Sequence, residues 1–367
     1  MAARSITQIS LNGRFSVQSL SGVQRFATEI TRALSEIWPT DLPQPELLTP
    51  RGPSFSSTPV DIGFPVRPCG YFQGQLWEQI DLPKAAGPGL LVNLGNTGPL
   101  ILPARNSRQI VVIHDAGVFS TPKSYSRQFR VYYKILHRLL TIGKTRIVTV
   151  SNFARNDIAS HLRIDPARIS VITEGSEHAT RIPADRTVLE RHGLEAGKYV
   201  LAVGNMAPHK DFAALEHLAA TLPERGIKLV ISGGMNKRVF EADIPDLRQA
   251  TYVGRVTDEE LHALYSDAVC FVFPSIYEGF GLPPIEAMEA GCPVVARDIP
   301  VLHEICGQAA RYGCRPTDLT LQVLEILDNP DVASTLCHAG RKQVNQYRWS
   351  IAAEKLLNIM REEFSAC

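Results

Sequence analysis

The chain has 367 residues, which at roughly 100 to 200 residues per domain points to two domains with full cores and excludes a small disulfide-stapled module. Hydrophobic residues make up 44% and charged residues 20%. No run approaches the ~18 to 20 apolar residues of a membrane span, so a soluble protein is expected, one still able to touch a membrane surface. The net charge of +1 says little until it is divided along the chain.

Short apolar runs ending in small or polar residues recur: 6–11, 90–95, 110–115, 146–151, 168–173, 199–204, 228–233, 268–273 and 293–297. Continuous rather than alternating apolar character predicts strands buried on both faces, as in a parallel sheet. Between most of them lie segments with helical spacing, at 22–37, 126–140, 152–162 and 258–268, followed by a terminal amphipathic segment at 349–364 with Ser350 as candidate N-cap. Alternating strand and helix predicts α/β architecture with doubly wound layers. Residues 39–68 hold eight prolines and read as an irregular excursion. The proline-containing stretch 181–187 lacks apolar periodicity and separates two sets of strands, so the domain boundary is placed there: 1–182, 183–345, and a terminal helix in 346–367.

Seven cysteines at 69, 270, 292, 306, 314, 337 and 367 form no C-x-x-C pair, which argues against a disulfide framework and a zinc site. The first residues lack the 7 to 15 residue apolar stretch of a signal peptide. A reducing, cytoplasmic setting is expected.

In open parallel sheets, ligands bind beyond the carboxyl ends of the strands, and two such domains are expected to turn those ends to a common cleft. Ser21 and Gly22 open a helix after the first strand, a geometry that suits an anion as well as an ordinary cap. His114 ends the strand 110–115, where a satisfied core histidine is the competing reading. Lys210 follows the strand 199–204 and can neutralise a phosphate oxygen, although a lone lysine is more often a solvated surface group.

The segment SIYEGFGLPPIEAMEAGCPVV (275–295) carries the strongest signal. Glu278 stands in a loop after a strand, and Gly279 and Gly281 permit close backbone approach. Pro283 and Pro284 suit the opening of a helix, and Glu286 falls in its first turns. A carboxylate accepts two hydrogen bonds from a vicinal diol, which both a sugar and a ribose present. Two diol readers beside an anion-binding helix start describe a sugar nucleotide; the alternative is a capped helix with dipole-matched glutamates.

At these residues the chain resembles the retaining glycosyltransferases of the GT-B fold, family 4. The E-x7-E motif is Glu278 to Glu286, supported by VGNMAPHKDF (203–212), YVGRVTDEELHALYSDA (252–268), VSNFARNDI (150–158), VIHDAGVF (112–119) and SGVQRFATEI (21–30). The resemblance covers essentially the whole chain, with the terminal helix expected to return to the first domain. It implies that Glu278 contacts donor-sugar hydroxyls and Glu286 the nucleotide ribose. It implies that Lys210 binds the donor diphosphate, with backbone N–H groups of Phe280, Gly281 and Leu282, neighbours of Gly279, and of the Gly22 loop nearby. His114 would sit by the reacting centre and Val253 against the base. Where many relatives carry an arginine, this chain has Asn205 and His209, so one cation of the phosphate grip is missing or pH-dependent.

No D-x-D motif or histidine cluster offers a metal site, so a metal-independent reaction is expected, with no cofactor beyond the nucleotide-sugar co-substrate. The expected activity moves a hexose, from GDP-mannose or a similar donor, to a hydroxyl of a glycan or lipid-linked acceptor with retention. A sugar-nucleotide epimerase or glycan phosphorylase is the alternative on this fold. A two-lobed sugar-binding protein would not need E-x7-E, and a nicotinamide dehydrogenase would need a G-x-G-x-x-G after the first strand.

Residues 1–180 hold 19 Lys and Arg against 12 Asp and Glu, whereas 181–367 hold 19 against 25, so the near-neutral total conceals opposed halves. Arg127, Arg130, Lys134 and Arg138 recur at helical spacing, with Phe129, Tyr132, Tyr133, Leu136, Leu139 and Leu140 as neighbouring apolar surface. A solvated helix face is one reading. The other is a patch for anionic lipid headgroups or a lipid-diphosphate acceptor at the inner face of the cytoplasmic membrane. No nucleic-acid motif accompanies the stripe.

Overall fold

The continuous apolar runs form two parallel sheets. The computed structural model describes residues 8–52, 62–102, 107–234 and 247–365; residues 6 and 7 of the first run, 53–61 of the proline-rich stretch and the last two residues lie outside them. The first sheet contains β1 (Ile9–Asn12), β2 (Glu46–Pro50), β3 (Val66–Cys69), β4 (Leu90–Asn93), β5 (Arg108–Val112), β6 (Thr145–Thr149) and β7 (Ile169–Val171). Their spatial order is β3-β2-β1-β4-β5-β6-β7. The second contains β8 (Tyr199–Val203), β9 (Lys228–Ser232), β10 (Ala250–Gly254), β11 (Cys270–Phe273), β12 (Val294–Arg297) and β13 (Ala310–Gly313), ordered β10-β9-β8-β11-β12-β13. Each order reverses direction beside the first strand of its sheet, the topological switch at which open sheets bind ligands.

The excursion expected at 39–68 contains β2 and β3. Pro50 ends β2, and Pro68 lies in β3, which pairs with β2 alone. An edge strand tolerates a residue without an N–H, so prolines hid two strands without preventing them.

By contact the chain divides into two units. One comprises 1–116, 132–174 and 349–367, and the other 117–131 and 175–348. The division therefore falls at 174/175, eight residues before the boundary read from the proline-containing stretch, because residues 175–181 bond to later segments. The Ser176 N–H donates to the Tyr347 carbonyl at 3.1 Å, for example. The terminal helix Trp349–Ser365 belongs to the first unit. Trp349 lies edge-on to Phe26, with ring centroids 5.9 Å apart, and Glu363 accepts from Arg108 at 3.0 Å. Ser350 lies inside this helix rather than capping it.

In the second unit, Val200, Leu229, Val272 and Val295 pack with Leu218, Leu319 and Val323 to form the core. The loops after β8 and β9 touch through backbone: Gly233 has φ +151°, and a Cβ there would lie 1.7 Å from the Gly204 carbonyl oxygen. Gly233→Ala is expected to destabilise this unit by about 2 kcal/mol or more, read by denaturant unfolding. An unchanged midpoint would show that the loops can part without cost.

Candidate functional site

The second unit builds its site where β11 turns into the helix Leu282–Glu289. The strand CFVF is fully buried and stops at Phe273, so the loop that follows emerges at the carboxyl edge of the sheet. Gly281 holds φ +104° at the helix N-cap, and a Cβ there would meet Leu302 Cδ2 at 2.8 Å. No side chain caps this helix, and Pro283 and Pro284 contribute no N–H. Phe280 is buried edge-on to Tyr347, with centroids 5.5 Å apart, which anchors the loop. Gly279 and Leu282 are buried beside it.

Glu278 meets Lys210 directly. Lys210 Nζ donates to Glu278 Oε1 at 2.6 Å, and each side chain is 12% exposed. Lys210 ends the 3₁₀ turn Pro208–Lys210 after β8 and lies 5.5 Å from the Phe273 ring centroid. A lysine and a loop carboxylate 68 residues apart in sequence are thus brought together by the adjacency of β8 and β11.

Asp211 and Arg297, which the sequence reading did not single out, support this pair. Asp211 takes the left-handed conformation at φ +48° and pairs with buried Arg297. Arg297 also donates to the carbonyls of Pro274 and Cys314, each at 3.1 Å. One guanidinium therefore ties together the loops after β8, β11 and β13. A charged residue closing the apolar run PVVAR was the available signal.

His209 is buried and stacked on Tyr125, with centroids 6.1 Å apart and planes 15° apart. Burial, and then the Lys210 charge, push its pKa down to about 4, against a smaller upward pull from Glu278. The imidazole is therefore neutral at pH 7. Asn205 shapes the loop, its Oδ1 accepting from the Ala207 N–H at 3.3 Å. Val253 is buried at the end of the edge strand β10.

Glu286 lies on the helix Leu282–Glu289 and is buried. It is 7% exposed. Its Oε1 lies 2.9 Å from His178 Nε2, and its Oε2 accepts from the Tyr265 hydroxyl at 2.9 Å. Neither partner is legible from local pattern.

In the first unit, His114 follows β5 and is 5% exposed. Its Nε2 is 3.0 Å from the Leu94 carbonyl, which makes that nitrogen the donor, and its backbone N–H donates to Asn96 Oδ1 at 2.7 Å. Nδ1 lies 3.6 Å from Glu174 Oε1, and the ring is edge-on to Phe26 at 4.7 Å. Glu174 is a further residue that sequence reasoning missed. Buried Arg14 lies nearby in the chain beyond β1, paired with Glu78 at 3.3 Å, while Asn12 donates to Glu78 at 2.7 Å. Gly22 opens the helix Gly22–Glu36, whose N-cap Ser21 makes no side-chain capping bond. A Cβ at Gly22 would meet no protein atom within 4 Å, so packing within the chain does not require glycine there.

The basic stripe lies on the helix Arg127–Leu140. Arg127 and Arg138 are exposed, and Arg130 and Lys134 half-buried. The apolar residues beside it differ in part from the expectation: Leu139 is exposed at 43% as expected, but Leu136 and Leu140 are core, and Val131, Ile135 and Ile142 are exposed at 54%, 53% and 79%. Leu136 and Leu140 mark the enclosed side of this helix. Among the described residues, no helix is long and apolar enough to cross a membrane, and no group of three or more His, Cys, Asp or Glu is arranged to hold a metal ion.

Residues 186–343 match the family model described as glycosyl transferases group 1. The chain is 32% identical over 276 residues to the O-antigen chain mannosyltransferase B of Escherichia coli, covering 70% of this chain and 71% of that one. It is 30% identical over 254 residues to the O-antigen chain mannosyltransferase RfbU of Salmonella typhimurium, covering 67% of each. Sucrose-phosphate synthase from Thermosynechococcus elongatus superposes with a TM-score of 0.73 at 18% identity, over 98% of this chain and 100% of that one. That likeness shows the fold, and the two parallel-sheet units are those of the GT-B fold. With relatives of this identity over two thirds of their length, the chain belongs to the group 1 glycosyl transferases, and its activity is glycosyl transfer.

Proposed function

We propose that the chain transfers mannose or a similar hexose from its GDP-linked donor to a hydroxyl of a growing glycan in polysaccharide biosynthesis, with retention and without a metal ion. The observation that carries this reading is the Lys210–Glu278 pair at 2.6 Å beside an uncapped helix start. The names of the two mannosyltransferase relatives support the choice of sugar.

In this reading Lys210 leaves Glu278 for the donor diphosphate, and Glu278 turns to the hydroxyls of the sugar. Negative charge grows on the leaving diphosphate as the glycosidic bond breaks. The Lys210 ammonium and the backbone N–H groups of Phe280, Gly281 and Leu282 stabilise it where it develops. The departing phosphate takes the proton of the attacking acceptor hydroxyl, so the new bond forms on the face the old one left. Glu286 holds the ribose, and Val253 borders the base. The first unit carries the acceptor, with His114 as its functional histidine and the open helix start at Gly22 as a site for phosphate oxygens.

The test combines binding with product analysis. Thermal stabilisation by GDP beyond that by UDP, and by neither NAD nor free mannose, is expected. NMR of the product should show the donor's anomeric configuration, and turnover should survive EDTA. Stabilisation by UDP alone would overturn the donor reading, an inverted product the retention, and loss of activity restored by magnesium the metal-free step. An epimeric GDP-sugar formed without acceptor and without net release of GDP would favour an epimerase, and sugar 1-phosphate formed from glycan and phosphate a phosphorylase.

A membrane-facing role for the helix Arg127–Leu140 rests on its exposed Ile135 and Leu139, continued by Ile142, beside Lys134 and Arg138. Apolar side chains flanked by cations suit an anionic bilayer surface, where a peripheral enzyme would meet a lipid-linked acceptor. Co-sedimentation with phosphatidylglycerol vesicles but not phosphatidylcholine vesicles, weakened by salt, is the expected result. Indifference to both would remove the claim.

A further inference from the structure

Glu286 is fixed by two donors that reach it from separate elements. His178 stands at the start of the short helix His178–Arg181 and is 5% exposed. Tyr265 lies on the helix Asp258–Asp267 and is fully buried. Each bonds a different carboxylate oxygen at 2.9 Å. The Tyr265 ring is itself held edge-on to Phe271 of β11, with centroids 5.5 Å apart. The helix Asp258–Asp267 is set at its start by a reciprocal cap in which Thr257 and Glu260 bond each other's backbone N–H groups.

From this geometry we infer that His178 and Tyr265 are positioning residues which lock the Glu286 carboxylate for recognition of the nucleotide ribose. The inference rests on the reading of Glu286 as the ribose contact. A glutamate that is free at its last torsion rotates its carboxylate plane, and ordering it on binding costs side-chain entropy. With a donor on each oxygen the plane is already set. The two bonds occupy an acceptor direction on each oxygen and so restrict the angle from which a diol is read.

A purely structural role is the competing account: the same bonds tie residues 175–181 to the helix Leu282–Glu289. The two accounts part on ribose discrimination. Binding of GDP and of UDP would be measured against their 2′,3′-dideoxy forms in the wild type, Tyr265→Phe, His178→Ala and His178→Gln, with unfolding midpoints recorded for each. The wild type is expected to prefer the ribonucleotide at least ~10-fold, as expected for a site built to bond the missing hydroxyls. In Tyr265→Phe and His178→Ala that preference should shrink to about 3-fold or less while dideoxynucleotide affinity stays near that of the wild type. His178→Gln, which keeps a donor, should restore most of it.

A wild type indifferent to the ribose hydroxyls would remove the reading of Glu286 itself. A discriminating wild type whose folded variants discriminate equally would overturn the positioning role and leave that reading intact. Equal loss of affinity for both nucleotide forms would assign the two residues to stability alone.

Discussion

Alanine at either Lys210 or Glu278 is expected to lower kcat/KM by on the order of 100-fold or more, and the double replacement to approach the product of the two losses. Each residue touches a different part of the proposed donor, the diphosphate or the sugar, so each loss removes an interaction that strengthens as the glycosidic bond breaks. Stability should combine differently. The pair is largely enclosed, so removing one partner leaves the other charge without its counter-ion, a loss of about 1 to 3 kcal/mol. Removing both restores neutrality, and the double variant should recover part of that stability while remaining inactive. Steady-state kinetics and denaturant unfolding on the four proteins would check this. Full activity in Glu278→Ala would sink the proposed site, and additive stability losses would show that the two residues do not act as a pair in the folded enzyme.

The sequence revealed the parts of this protein that depend on local pattern. Runs such as YVLAV and CFVF are apolar at every position because helices cover both faces of the sheet, and each appeared as a strand. β2, β3, β10 and β13 did not appear: two carry prolines, and β10 and β13 are edge strands with four of five and two of four residues only partly enclosed. The site divided the same way. Glu278 was legible because its glycines and prolines lie next to it in the chain. Arg297, His178, Tyr265 and Glu174 owe their places to partners 21 to 108 residues away, brought close by strand order and helix packing, and no periodicity records such a meeting. The basic stripe was legible as charge, yet which leucines are enclosed depends on how the helix is turned about its axis, and spacing alone leaves that open.

Acid is expected to unfold this protein earlier than its carboxylates alone would require, through His137 and His209. Burial lowers the pKa of His137 from the ordinary 6.5 to about 4, against a smaller upward effect of the bond to the Asn96 carbonyl, 2.9 Å away. His209 reaches about 4 through burial and the Lys210 charge. Above pH 6.5 both rings are neutral whether folded or unfolded, and neither affects stability. Between pH 6.5 and 4 the unfolded chain takes up a proton at each site and the folded chain does not, so stability falls with pH. At the lower end each ring accounts for about 3 kcal/mol, a large part of the stability of an ordinary domain. His137 belongs to the first unit and His209 to the second, so neither unit is spared. Calorimetric midpoints recorded from pH 7.5 to 4.5 should therefore fall steeply in the wild type. They should fall less in the double variant His137→Gln, His209→Gln, whose replacements cannot take up a proton. Parallel curves for the two proteins would show that both imidazoles ionise as readily inside the fold as in the unfolded chain.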